Sequence, residues 1–472
     1  MLILLVLSLG GAGWYLQQAI PIGTGYTAKY ICSAVFLSGR NPNRIFNDDI
    51  LPVEKTLTRL IDVDVDYQRK TVTTRALFFF ESQAVYREGL GCTLLAAADD
   101  KALTPPSPPP PPRVSLPADR PWPSGGVGPR HSVLPGFRRQ KLEQALDRHF
   151  SETGPEKKKA TRAVLVVQDG NLVAERYAPG FRADMPLLGW SMAKSVTNAL
   201  IGILVQQGKL RIHDPAPVPE WSGPQDPRRR ITIDQLLRMS SGLKFDETYK
   251  PLHGVTRMLY RSADFATFAA AQPPETEPDR KWYYSSGTAN ILARVVRRTA
   301  ESSGESPLIF MRRHLFDKIG MTSAVFETDP SGTFVGSSYL FATPRDWARF
   351  GLLYLRDGMW NGERLLPEGW VRYSTTPTPP APKGKYGAHF WLNAGSPGNP
   401  GDRPWPRVPA DAFLADGYQG QRVVIIPSRK LVVVRFGLTP NPQNMEFESF
   451  LVDVLEALPK IELDGPDRKA GR

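Results

Sequence analysis

The tract LTPPSPPPPPRVSLPADRPWPSGGVGP, Leu103 to Pro129, constrains the fold of this 472-residue chain more than any other stretch. Consecutive prolines have no N–H to give to a helix or a sheet ladder, and they hold an extended polyproline II backbone. No packed element crosses such a segment, so the chain divides there, with residues 101–130 as a semi-rigid linker. A small unit precedes it, residues 24–100, and a large one follows, residues 131–460. Residues 461–472 read as a polar tail.

The small unit is β-rich. LIDVDVDYQRKTVTTRALFFF alternates apolar and polar residues at Ile61, Val63, Val65 and Tyr67 and turns at Gln68–Lys70, which reads as a hairpin. Ahead of it, MLILLVLSLGGAGWYL is apolar, and the first basic residue is Lys29. Residues 1–20 read as an uncleaved membrane anchor, or as a signal peptide; either sends the rest of the chain out of the cytoplasm. The two cysteines, Cys32 and Cys92, both fall in this unit. Two thiols are too few for a metal site, and a single Cys32–Cys92 disulfide in an oxidising compartment is expected.

The large unit mixes helix and strand. KLEQALDRHF is an amphipathic helix, RAVLVVQDGNLVAERYAPG is a hairpin around Asp169-Gly170-Asn171, and GQRVVIIPSRKLVVVRFG supplies two late strands before the helix of FLVDVLEALPK. Strands at both ends with helices between them imply one sheet assembled from the two ends. The net charge of +12 is spread out, apart from Lys157–Lys159 and Arg228–Arg230, and no nucleic-acid motif lies beside those runs. Solvated loops account for them, with an anionic membrane surface as the alternative.

GWSMAKSVTNALIGILVQQGKL, Gly189 to Leu210, places Ser191 and Lys194 at the head of a buried-looking helix that Gly208 ends. A helix N-terminus presents free N–H groups and a positive potential, both of which favour a developing alkoxide. Lys194 lies one turn on, on the same face. A lysine entering a buried helix is costly unless it is paired or its pKa falls by desolvation, and a low-pKa amine beside a serine hydroxyl activates it. The plain alternative is a capped helix with a snorkelling lysine. Ser241 and Lys244 repeat the spacing, but Gly242 marks a turn. Gly-Trp-Ser-Met-Ala does not match the G-x-S-x-G elbow, none of the six histidines has a catalytic context, and no metal-ligand spacing occurs, so neither cofactor nor metal is expected. In KWYYSSGTANILARVV, Tyr284 lies in a loop just before a helix, where a phenol near an ammonium can serve as general base.

Taken in order, Ser191-Met-Ala-Lys194, ITIDQLLRMSSGL from Ile231, Tyr284-Ser285-Ser286 and DGYQGQRVVIIP resemble the serine β-lactamase and penicillin-binding-protein superfamily. The likeness is to its class C-like branch, with family VIII carboxylesterases and 6-aminohexanoate-dimer hydrolases; ATPRDWARFGLLYLRDGMWNGERLL and YGAHFWLN add to it. It covers about residues 131–460. The resemblance implies an α+β fold: an antiparallel sheet flanked by helices, with a helical insert. It implies a serine hydrolase forming an acyl-enzyme on Ser191, with Lys194 and Tyr284 moving protons and the backbone N–H groups of Ser191 and Gln421 as oxyanion hole. Ser286, Tyr418, Gln419 and Gly420 would contact a small amide or ester substrate. Ser286 stands where relatives carry Asn, and Tyr418 where they carry a cation that grips a substrate carboxylate. Those departures favour esters and amides over β-lactams, with Arg422 as the possible stand-in cation, since strand alternation sets it on the face of Gly420. A penicillin-recognising peptidase or β-lactamase, and a catalytically silent envelope-binding protein, are the alternative readings.

Overall fold

The computed structural model describes residues 2–52, 58–95, 114–129, 135–152, 154 and 158–460. The proline run, the tail from 461 and His131 lie outside the described residues.

In the large unit six strands form one antiparallel sheet in the order Trp391–Leu392, Phe413–Gly417, Gln421–Ile426, Leu431–Gly437, Thr161–Gln168, Asn171–Tyr177. Early and late strands meet where Val433 pairs with Val166. Side chains alternate between the two faces, and in the central strands both faces are buried. Val164, Val166, Val424, Ile426 and Val433 face the helices Arg139–Phe150 and Phe447–Ala457. Leu165, Val167, Val423, Ile425, Val432 and Val434 join the other core, with the helices Met192–Gln206 and Pro344–Leu355. Each such side chain contributes roughly 1.5–3 kcal/mol by burial. Gly351 lets the second of these helices sit close: a Cβ there would lie 2.6 Å from Val432 Cγ1. The helices Ile233–Leu237, Gly254–Arg261, Phe265–Ala270 and Ser286–Ser302 form the helical insert.

The N-terminal unit differs from its expected form. Residues 24–36 are not strand: one helix runs Leu2–Phe36, with Pro21 inside it, and lies on a four-stranded antiparallel sheet, Ile61–Leu94. Pro21, Gly23, Thr24, Gly25 and Thr27 are poor helix formers, but here tertiary contact overrides propensity. Thr24 Oγ1 lies 2.8 Å from Ser82 Oγ, and a Cβ on Gly25 would meet Leu94 Cδ2 at 3.1 Å and Tyr260 at 3.5 Å. The hairpin pairs Ile61–Asp66 with Thr71–Ala76. Cys32 and Cys92 are disulfide-bonded, with Cα atoms 6.0 Å apart. Among the described residues no helix is long and apolar enough to cross a membrane.

The same helix packs on the large unit. Tyr26 meets Tyr260 edge-on and Tyr30 stacks on Trp190, the residue before Ser191. Buried Glu327 accepts hydrogen bonds from Lys29 Nζ, from Ser33 Oγ at 2.8 Å and from the Cys92 N–H at 2.7 Å. The small unit is therefore a wall of the large one.

Candidate active site

Ser191 stands at the start of the helix Met192–Gln206, and its side chain makes no capping hydrogen bond to it. Trp190 holds φ +47°, a conformation a bulky residue adopts only when its surroundings enforce it. They do: Trp190 is clasped by Tyr30, Tyr339 and Tyr418, and a Cβ on Gly189 would lie 2.4 Å from Trp347. Gly417 passes just as close, since a Cβ there would sit 2.2 Å from Gly189 O. The loop before Ser191 is thus pinned against the end of the sheet.

Lys194 is 1% exposed. Its Nζ lies 3.0 Å from Ser191 Oγ, 3.1 Å from Ser286 Oγ and 3.0 Å from Ser337 O, and 4.7 Å from the Tyr284 ring centroid. Burial brings its pKa down to about 8, against the opposing pull of Glu247. Burial pushes the Tyr284 phenol well above its ordinary value, with Tyr386 adding to the shift and a Ser191 hydrogen bond opposing it. Burial thus moves the two groups in opposite directions, the Lys194 amine toward its neutral form and the Tyr284 phenol toward its protonated one.

The structure brings Ser191, Lys194, Tyr284 and Ser286 together. Tyr418, 40% exposed, stands at the mouth, edge-on to Trp190 and stacked on Tyr249 with centroids 5.7 Å apart. Burial raises its pKa, so it carries no charge near neutral pH. The side chain of Gln421 is turned away into the sheet, donating to Tyr418 O at 2.9 Å and to Gly437 O at 2.6 Å. Gln419 (φ +58°) and Gly420 (φ +85°) make the turn, and Arg435 Nη1 holds Gly420 O at 2.7 Å. Arg422 is no stand-in cation: it donates to Asp416 at 2.7 Å and lies over Trp405 and Phe447, which belong to the back layer. Ser241 lies in a turn at Gly242 (φ +75°), with Lys244 exposed. An open hollow of about 760 Å³ lies behind the sheet, lined by Arg138, Arg407 and Arg429 among others, remote from Ser191.

Two residues of the site escape the sequence reading. Glu247 accepts the Ser286 N–H at 2.7 Å and the Ser286 hydroxyl at 2.5 Å, placing a carboxylate at the N-terminus of the helix Ser286–Ser302. His389 Nδ1 lies 2.8 Å from Lys194 O, and burial lowers its pKa to about 3, so this neutral imidazole donates to the nucleophile helix. No sequence signal marks Glu247, since DETYK looks like any solvated loop.

This architecture, a sheet with a helical insert and a serine–lysine pair at a helix start, defines a class of serine hydrolase folds. Residues 145–450, more than half of the chain, match the β-lactamase family, and the chain belongs to it. A 6-aminohexanoate-dimer hydrolase of Paenarthrobacter ureafaciens is 24% identical over 344 residues, 67% of this chain and 82% of that one. A Bacillus anthracis structure provisionally named for the same activity superposes with a TM-score of 0.56 at 24% identity, covering 74% of this chain and 92% of that one. A penicillin-binding-protein homologue from Caulobacter crescentus gives 0.50 at 16% identity, covering 69% and 99%. The protein is a hydrolase of the serine β-lactamase superfamily, with the antiparallel α+β fold of these structures.

Proposed function

We propose that the chain hydrolyses small neutral amides or esters through an acyl-enzyme on Ser191. The observation that carries this is the buried Lys194 amine 3.0 Å from Ser191 Oγ. At its lowered pKa a usable share of the amine is neutral near pH 8. Ser191 Oγ attacks the carbonyl carbon while its proton passes to Lys194 Nζ. Collapse breaks the bond to the leaving nitrogen or oxygen, which takes a proton from neutral Tyr284, resupplied by Lys194. Water then attacks the acyl carbon while its proton passes to Lys194 Nζ; collapse breaks the bond to Ser191 Oγ, which takes that proton back, and the carboxylic acid leaves. The N–H groups of Ser191 and Gln421 would hold the oxyanion, at roughly 3–4 kcal/mol per donor. The name of the relative, 6-aminohexanoate-dimer hydrolase, supports an amide as the bond cut, and the uncharged Tyr418 supports a neutral substrate.

A fluorophosphonate probe with peptide mapping tests this. Labelling of Ser191 together with turnover of p-nitrophenyl esters or short amides is expected; a silent binder labels nowhere, and a penicillin-recognising enzyme prefers a chromogenic cephalosporin.

The same reading places the protein outside the cytoplasm, supported by the Cys32–Cys92 bond, which persists in oxidising compartments. Attachment of residues 1–20 to a lipid surface belongs to it too: no charged residue precedes Lys29, and Trp14, Tyr15 and Leu16 are exposed. Fractionation of the native cells checks both.

A further inference from the structure

Ser286 occupies the position at which relatives carry an amide side chain, and its surroundings give it different work. It has a single hydroxyl proton, which goes to Glu247 Oε1 at 2.5 Å. Its oxygen therefore faces Lys194 Nζ, at 3.1 Å, as an acceptor. Ser337 O, at 3.0 Å, is an acceptor by nature. A neutral amine has two N–H donors and one lone pair. Two acceptors use both donors, which leaves the lone pair aimed at the third neighbour, the hydroxyl of Ser191 at 3.0 Å.

The geometry points to Glu247 as the positioning residue of this site: by holding the Ser286 proton, it aims the lone pair of Lys194 at Ser191. The inference rests on the serine-hydrolase reading above. Without Glu247 the Ser286 hydroxyl is free to donate to Lys194, occupying the lone pair that the reaction needs. Glu247 is also the carboxylate whose pull on Lys194 opposes the effect of burial. The other titratable groups facing the pair are Tyr284 over Lys194, His389 at its carbonyl, and Asp246, Tyr249 and Tyr386 around Glu247.

The test is the pH dependence of fluorophosphonate labelling and of ester hydrolysis in the full chain. Glu247→Ala should lower the limiting rate at high pH by roughly 10–100-fold, the range of a misplaced general base, with KM for a neutral ester little changed. Loss of the nearby charge should move the acid limb down by roughly 1 pH unit. Glu247→Gln, which keeps an acceptor but loses the charge, should show the shifted limb with the smaller rate loss. Glu247→Ala/Ser286→Ala removes the competing donor and should label faster than Glu247→Ala alone, by roughly tenfold. A plain loss of folding cannot produce that recovery. Wild-type labelling at Ser191 with an unmoved limb in Glu247→Ala and Glu247→Gln, or a double variant no faster than the single, overturns this inference alone. A wild type that does not label overturns the hydrolase reading and this one with it.

Discussion

Two lysines of this protein are buried on helices beside a serine, and they meet opposite fates. Lys29, 5% exposed, donates to Ser33 at 2.9 Å and is closed by a direct ion pair with Glu327. Lys194, 1% exposed, touches two hydroxyls and a carbonyl, and its carboxylate, Glu247, stands one residue away behind Ser286. Closing the pair spends the charge on structure. Burial lowers the pKa of both amines: at Lys29 the contact with Glu327 opposes it, while at Lys194, with Glu247 held behind Ser286, it comes down to about 8. Burial is common to both; what separates them is whether the counter-charge is in contact.

The largest expected effect falls on the chemical side. Ser191→Ala should abolish fluorophosphonate labelling and lower ester turnover by several orders of magnitude, as loss of a nucleophile does. Labelling that persists, or that maps to Ser241, would break the assignment.

The comparison itself is tested by Lys29→Met against Lys194→Met. The first leaves Glu327 buried without its partner and should cost about 3–5 kcal/mol, read as a fall in the denaturation midpoint, with activity retained in the folded fraction. The second removes an amine that burial disfavours as a cation and should leave stability level or raised, while turnover collapses. Equal loss of stability in both would erase the distinction.

A pH series sharpens it. Because burial lowers the Lys194 pKa from 10.5 to about 8, the unfolded chain binds more protons than the folded one between those values. Lys194 thus makes stability rise with pH from about 8 to 10.5, recovering a penalty of about 3 kcal/mol that is fully present at lower pH. Turnover should climb across an acid limb near pH 8 as the amine becomes neutral. Lys194→Met should flatten the stability slope; an unchanged slope in that variant would mean that the amine is not desolvated.

Much of this was legible from residue order. Ser191 and Lys194 stood out because a lysine in an apolar helix needs a reason, and the two-ended sheet because short apolar runs lie at both ends of the unit, at Ala163–Val167, Val423–Ile426 and Leu431–Val434. Glu247 was not legible: its role depends on contact with Ser286, 39 residues away, and a polar loop carries no periodicity. The helix through Pro21 and Gly23–Gly25 was masked by residues whose local preference is broken only by packing on Leu94 and Tyr260. Arg422 was misplaced because strand alternation counts faces from Gly420, which belongs to the turn at Gln419–Gly420; from Gln421 onward the strand sets Arg422 toward Trp405.

A third lysine, built at the mouth, gives the smallest effect and isolates the role of charge at the substrate. Tyr418 is 40% exposed, near neither Glu327 nor Glu247 in any bonded sense, and meets Trp190 edge-on. A tyrosine there donates a hydrogen bond without positive charge. With Arg422 committed to Asp416, neither it nor the uncharged Tyr418 offers a positive charge to a substrate carboxylate. A charge-assisted contact is worth about 1.5–3 kcal/mol, roughly one to two decades in kcat/KM. Wild type should therefore favour a short neutral ester over a cephalosporin, and Tyr418→Lys should shift that ratio toward the cephalosporin by about 10–100-fold. Unlike Lys29, the new ammonium would be unpaired, and unlike Lys194 it would be solvated, so it should stay charged and leave the acid limb near pH 8 where it was. A ratio that does not move in this variant would show that the carboxylate is excluded by shape, through the Tyr249–Tyr418 stack, rather than by missing charge.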